Sequence, residues 1–156
     1  MKDMSPGQVS PDQSFRDYAA ARSVAVARGS VIIGGMERAE RARLAGFALE
    51  AGCEARTYKL GAEVLEAMRR TGRAILFLSA NLEDMTAQDL LGSLKKQGLS
   101  VISIVIVPPM AIMAAVAAIK AGAGDVQEHP VSKQMFLKSL AEALTQQQRR
   151  GLLQSH

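Results

Sequence analysis

The sequence predicts an α/β fold, a doubly wound five-stranded parallel sheet with five helices. Three observations predict it. Apolar, β-branched runs alternate with stretches of helical periodicity along most of the chain. The connections between them are short. The runs AILFLS (74–79) and VISIVIV (101–107) have almost no polar positions, so they need cover on both faces, as parallel strands do.

The elements follow in order. Residues 1–28 read as an extension, either disordered or carrying a short helix over 15–28 with Phe15, Tyr18 and Ala19 on one side. SVIIG (30–34) is the first strand. A helix over 37–51 places Leu44, Phe47, Ala48 and Ala51 on one stripe, and Gly52 ends it. CEARTY (53–58) has the mixed polarity of an edge strand. The helix over 61–70 turns Val64, Leu65 and Met68 inward. After the strand 74–79, a helix over 86–96 uses Leu90, Leu91 and Leu94, with Thr86 and Asp89 in a capping pattern. The strand 101–107 leads through Pro108 and Pro109 into a helix over 110–122, stopped by Gly122. GDVQE (124–128) is the last strand. The last helix, 132–148, packs through Phe136 or Leu137, Leu140 and Leu144. For a chain of this size the flavodoxin-like order 2-1-3-4-5 is the natural topology. The folded domain is then 29–148, with 149–156 a tail.

Composition agrees with a globular chain. Of 156 residues, 48% are hydrophobic and 22% charged, with no Trp and eight Met, so the core rests on aliphatic side chains. The formal net charge of +4 permits an acidic partner without requiring one. Cys53, the single cysteine, rules out an internal disulfide and reads as an inert buried thiol in a reducing cytoplasm. MKDMSPGQVSPDQSF has no apolar core of a secretory leader, and the prolines break the longest apolar stretch, so no membrane segment is expected.

AAVAAIKAGAGDVQEHPVSKQMFLKSL (114–140) resembles the A-x-x-A-x-K-A-G-A-x-D-[FY]-x-x-K-P-[FV] stretch of response-regulator receiver domains of the nitrogen-fixation regulator type. LEAGCEARTYKLGAEVLEAM (49–68) and LEDMTAQDLLGSLKKQG (82–98) are similar to the same family's passages. The resemblance covers about residues 30–146 and implies a CheY-like fold. It also implies a site for phosphoryl transfer to an aspartate beside Mg²⁺. In this chain the aspartate's place is taken by Ser79. The acidic pair falls on Gly35 and Met36, or on Gly34 and Gly35 if the register slips by one. The hydroxyl after strand 4 falls on Val107, the lysine of Lys-Pro on His129, and the aromatic switch position on Val126. A serine hydroxyl is a weak nucleophile without a base, and Mg²⁺ wants several oxygen ligands. No metal or cofactor is therefore expected. Glu37, Glu83 and Asp84 are the acids left near the site.

Each of these residues has a plain reading beside the functional one. Ser79 is a small polar residue bonded to backbone, or a nucleophile. Asp84 is a solvated acid, or a displaced acceptor. Gly34-Gly35 is a tight turn, or an approach for an anion to the following helix. His129 is a loop residue, with its bond to Pro130 cis as in receivers, or an anion donor. Arg149 and Arg150 belong to a solvated tail, or touch an acidic partner. The helix from Met110 departs from the amphipathic rule: Met110, Ile112, Met113, Val116 and Ile119 cannot all face one core.

These features lead to a stand-alone degenerate receiver, a pseudo-receiver. It acts in two-component-type signal transduction through phosphorylation-independent protein contact and is not an enzyme. Its partner would be a signalling protein (a histidine kinase, regulator or output protein), a second copy, or both, met through the 110–144 face. Membrane and nucleic acid are not expected as partners. The alternative is a small-anion or metabolite-binding module using the crevice at the strand ends.

Overall fold

A computed structural model of the chain describes residues 29–154. The extension 1–28 and residues 155–156 lie outside the described residues. Five strands, β1 (Ser30–Gly34), β2 (Glu54–Tyr58), β3 (Ile75–Ser79), β4 (Ile102–Val107) and β5 (Asp125–Glu128), alternate with five helices. The helices are α1 (Arg38–Glu50), α2 (Gly61–Thr71), α3 (Ala87–Lys96), α4 (Ile112–Lys120) and α5 (Lys133–Gln154). All strand pairs are parallel and the order is β2-β1-β3-β4-β5. This is the topology expected from the sequence.

Strand alternation divides the core into two. Val31, Ile33, Ile75, Phe77, Ile102, Ile104 and Ile106 point to the face covered by α1 and α5. Ile32, Leu76, Leu78, Val105 and Val107 point to the face covered by α2, α3 and α4. On the first face Phe136 of α5 stacks on Phe77, ring centroids 4.3 Å apart, and meets half-buried Phe47 of α1 at 5.7 Å. Phe136 and Leu137 are both buried. On the second face Val64, Met68, Leu90, Leu91 and Leu94 are buried, with Leu65 half-buried against them. The edge strand β2 buries none of its residues, in keeping with its polar composition. Cys53, just before β2, is buried, and desolvation pushes its thiol up to about 11.

Two boundaries differ from expectation, each for a local reason. Helix α4 begins at Ile112 rather than 110, because Met110 sits in the left-handed region at φ 65° and cannot start a helix. Its N–H donates to the Glu128 carboxylate at 3.1 Å, which anchors the turn to the end of β5. Helix α5 continues to Gln154, six residues past the expected end at 148. The segment QQQRR favours helix, and the Arg150 guanidinium donates to Ser100 Oγ at 3.1 Å, tying the extension to the loop before β4. Residues 149–154 are therefore not a loose tail. Thr86 caps α3 as the sequence indicates, accepting from the Asp89 N–H at 3.0 Å.

Because Phe136 is fully buried and stacked, Phe136→Ala is expected to lower the unfolding free energy by about 3–5 kcal/mol. Leu49→Ala, at a 60% exposed position, should stay within about 0.5 kcal/mol. Urea denaturation followed by circular dichroism measures both.

Candidate functional site

The parallel register brings the ends of four strands to one edge. Gly34 lies opposite Leu78, Ser79 opposite Ile106, and Val107 opposite Glu128. Gly35, Met36, Ser79, Val107 and His129 are thus neighbours along one rim, as an open α/β sheet places its functional residues.

The end of β1 is closed tightly against the end of β3. Gly35 is buried at φ 89°, and a Cβ built on it would lie 2.7 Å from Ser79 Cβ and 3.2 Å from Leu82 Cγ. Only glycine fits, both for its backbone angle and for the approach. β1 ends at Gly34, so the two residues that follow it are Gly35 and Met36. Met36 also takes a positive φ, 48°. The Gly35 and Met36 carbonyls both accept from Arg41 Nη1, at 3.1 and 2.8 Å. A guanidinium from the first turn of α1 therefore covers the turn after β1. Ser79 is half-buried, and its hydroxyl makes no hydrogen bond among the described residues; the backbone bond expected for it is not formed.

Asp84 corrects the sequence reading more substantially. It is exposed, but it is not merely solvated: its carboxylate accepts from the Gly61 and Ala62 N–H groups at 2.7 and 3.1 Å. It caps α2, whose own preceding residue, Leu60, has no acceptor to offer. The Gly61 N–H holds the Asp84 carboxyl below its ordinary value of 3.8. Lys59 pairs with Glu83 at 3.3 Å between the same two loops. A Cβ on Gly61 would meet Met85 Sδ at 2.5 Å, so the β3–α3 loop also packs on the start of α2.

At the other end of the rim Val107 is buried, and its carbonyl accepts from the His129 N–H at 2.8 Å. His129 itself is exposed and its bond to Pro130 is cis. Val126 is half-buried on β5, packed on the second core. Beside it lies a row of exposed apolar side chains: Met110 at 82%, Ile112 at 70%, Met113 at 79%, with Ile119 and Val116 also exposed. Ala118 is the one residue of α4 that is buried.

Sequence reasoning missed Arg41 and the role of Asp84. The signal for Asp84 was available, since α2 opens on Leu60-Gly61 with no capping side chain of its own. Nothing local marks Arg41, because its carbonyl partners are backbone atoms. It also missed Gln127, buried on β5, whose Nε2 donates to the Met135 carbonyl at 3.0 Å and to Ser139 Oγ of α5.

The Mg²⁺ that the sequence resemblance implies does not fit these residues. A divalent cation would need carboxylate oxygens where Gly35 and Ser79 stand, and would face the Arg41 guanidinium at the neighbouring carbonyls. Among the described residues no three His, Cys, Asp or Glu side chains are grouped to hold a metal.

No protein-family model matches the chain, and no curated protein matches its sequence. Solved structures do match. A signal receiver domain from Vibrio parahaemolyticus superposes with a TM-score of 0.76 at 19% identity, over 83% of this chain and 99% of that one. A CheY-like response-regulator receiver domain protein from Methanospirillum hungatei gives 0.72 at 19% identity, over 79% and 98%. FixJ-N gives 0.70 at 25% identity, over 75% and 94%. The chain has the fold of response-regulator receiver domains, the CheY-like form of the flavodoxin topology. Among the described residues no helix is long and apolar enough to cross a membrane.

The Asp84 cap carries a pH signature. Its folded pKa is lowered, so its stabilisation is present above the ordinary value of 3.8 and is lost as pH falls through the folded value. Asp84→Ala should lower the thermal midpoint near neutral pH, and the gap between variant and parent should close as pH falls below 3.8 and through the lowered folded value. Melts monitored by circular dichroism across that range check the sign.

Proposed function

We propose that this chain is an atypical receiver, which signals by protein contact, takes no phosphoryl group on aspartate and is not an enzyme. The observation that carries the reading is the apolar row from Met110 to Ile119 beside β5, exposed on a receiver-type scaffold. Water contact over so many large apolar groups is unfavourable, and a contiguous patch of this kind marks an interaction surface. The likeness to receiver domains supports a two-component, response-regulator-like role. The partner in this reading is a histidine kinase, regulator or output protein, or a second copy, met through the 110–144 face.

Phosphorylation independence is supported by the rim. Ser79 stands at the end of β3, Gly35 and Met36 follow β1, and Val107 ends β4 without a hydroxyl. Acyl-phosphate chemistry needs a carboxylate nucleophile, and none of these residues has one. The tight approach of Gly35 to Ser79 counts against the alternative of a metabolite in this crevice.

Two experiments test the reading. Incubation with a small phosphodonor and Mg²⁺, read by intact-mass spectrometry, should leave the mass unchanged. A stable, Mg²⁺-dependent phosphoryl adduct on an acidic side chain would overturn it. Met113→Glu, at a 79% exposed position, should leave the melting temperature unchanged and weaken the complex or dimer at least about tenfold. Light scattering after size exclusion and co-purification measure this; a complex of undiminished affinity removes the face from the reading.

A further inference from the structure

The opposite end of the sheet, at the strand N-termini, carries a feature the receiver reading leaves unused. The last turns of α2 and α3 are basic, with Arg69 and Arg70 in one and Lys95 and Lys96 in the other. Arg73 follows α2, and Arg149 and Arg150 lie near the end of α5. Between the segments that follow α2 and α3 and the last turns of α5, a cleft of about 230 Å³ opens, lined by Arg73, Arg150, Ser100, Gly72, Gly98 and Gly151 among others. Among the described residues no carboxylate lines it.

Cations at helix C-termini ordinarily balance the macrodipole, and that accounts for part of this charge. Each helix end presents about half a negative charge, so three ends are offset by fewer than two cations. The surplus is large. Glu66 neutralises only Arg69, at 3.0 Å. Arg73 lies beyond Gly72, which closes α2 in the left-handed conformation, and so is outside the last helical turn. It makes no hydrogen bond or ion pair among the described residues. A Cβ on Gly151 would lie 3.3 Å from Arg73 Nη2, so the guanidinium of this lining residue lies against α5. Arg150 is held from the other side by Ser100 Oγ at 3.1 Å. Two guanidiniums and a hydroxyl thus converge on a concave space.

We propose that this cleft binds a small phosphate ester, its phosphoryl oxygens held between the Arg73 and Arg150 guanidiniums with the Ser100 hydroxyl beside them. Guanidinium forks match phosphate oxygens in pairs and are the side chains best suited to this contact. The volume equals that of about eight water molecules at ~30 Å³ each, which fits a phosphoryl group and part of its ester and is too small for a duplex. The site lies at the far end of the sheet from the rim at Ser79, so its test is independent of the receiver reading.

NMR titration of the full chain with adenosine 5′-monophosphate in low-salt buffer tests it, with inorganic phosphate and a short DNA duplex in parallel. Saturable shifts at the Gly72, Gly98, Ser100 and Gly151 amides are expected, weakening as salt is added. Inorganic phosphate should shift the same amides. Arg73→Gln, an exposed position, should leave the melting temperature unchanged and weaken binding about tenfold or more. Arg70→Gln, which is outside the cleft lining, should weaken it less than about threefold. No saturable response, equal losses from Arg70→Gln and Arg73→Gln, or equal binding of unphosphorylated adenosine overturns the proposal. So does tighter binding of the duplex, which would make the charge a nucleic-acid surface.

Discussion

Strands β3 and β4 bury every apolar side chain they carry, and β1 buries all but its first residue. A strand without a wet face can exist only between two layers of helix, and this requirement organises the molecule. It sets α1 and α5 against one face and α2, α3 and α4 against the other. It also forces every connection to cross from one end of the sheet to the other. The two ends are then left as the places where polar backbone and side chains collect, and they have become chemically different.

At the C-terminal rim three charged side chains are spent on the protein itself. Arg41 is bonded to the Gly35 and Met36 carbonyls, Asp84 to the first N–H groups of α2, and Glu128 to the Met110 N–H. Each of these groups satisfies a backbone atom that a turn or helix end leaves without a partner. Gly35 closes the remaining space against Ser79. A rim arranged this way is a set of fastened turns. The N-terminal end is the reverse: its helix ends bring together more cations than their own carbonyls can offset, and Arg73 has no polar partner among the described residues.

The third distinct surface, on α4, follows from composition. MAIMAAVAAIK supplies too few polar residues for a solvent face, and only Ala118 is small enough and placed to bury fully. The alanines half-bury against the sheet, which leaves the longer Met and Ile side chains outward. Met110 adds to this because its left-handed backbone directs the chain away from the helix one residue before the N-cap.

The sequence by itself determined the layers. Apolar runs in β3 and β4, the helical stripes through Leu44 and Ala48, and the cap at Thr86 are all local patterns, and periodicity reads local patterns well. It also determined which residue types stand at the rim, since those follow from where each strand ends. What it could not determine were contacts made across the chain. Asp84 capping a helix 23 residues upstream, Arg150 reaching Ser100 and so prolonging α5, and Gly35 abutting Ser79 all depend on which loops the sheet order brings together. A hydrogen-bonding side chain carries no mark of its partner until the fold supplies one, and that is why these roles belong to the tertiary structure alone.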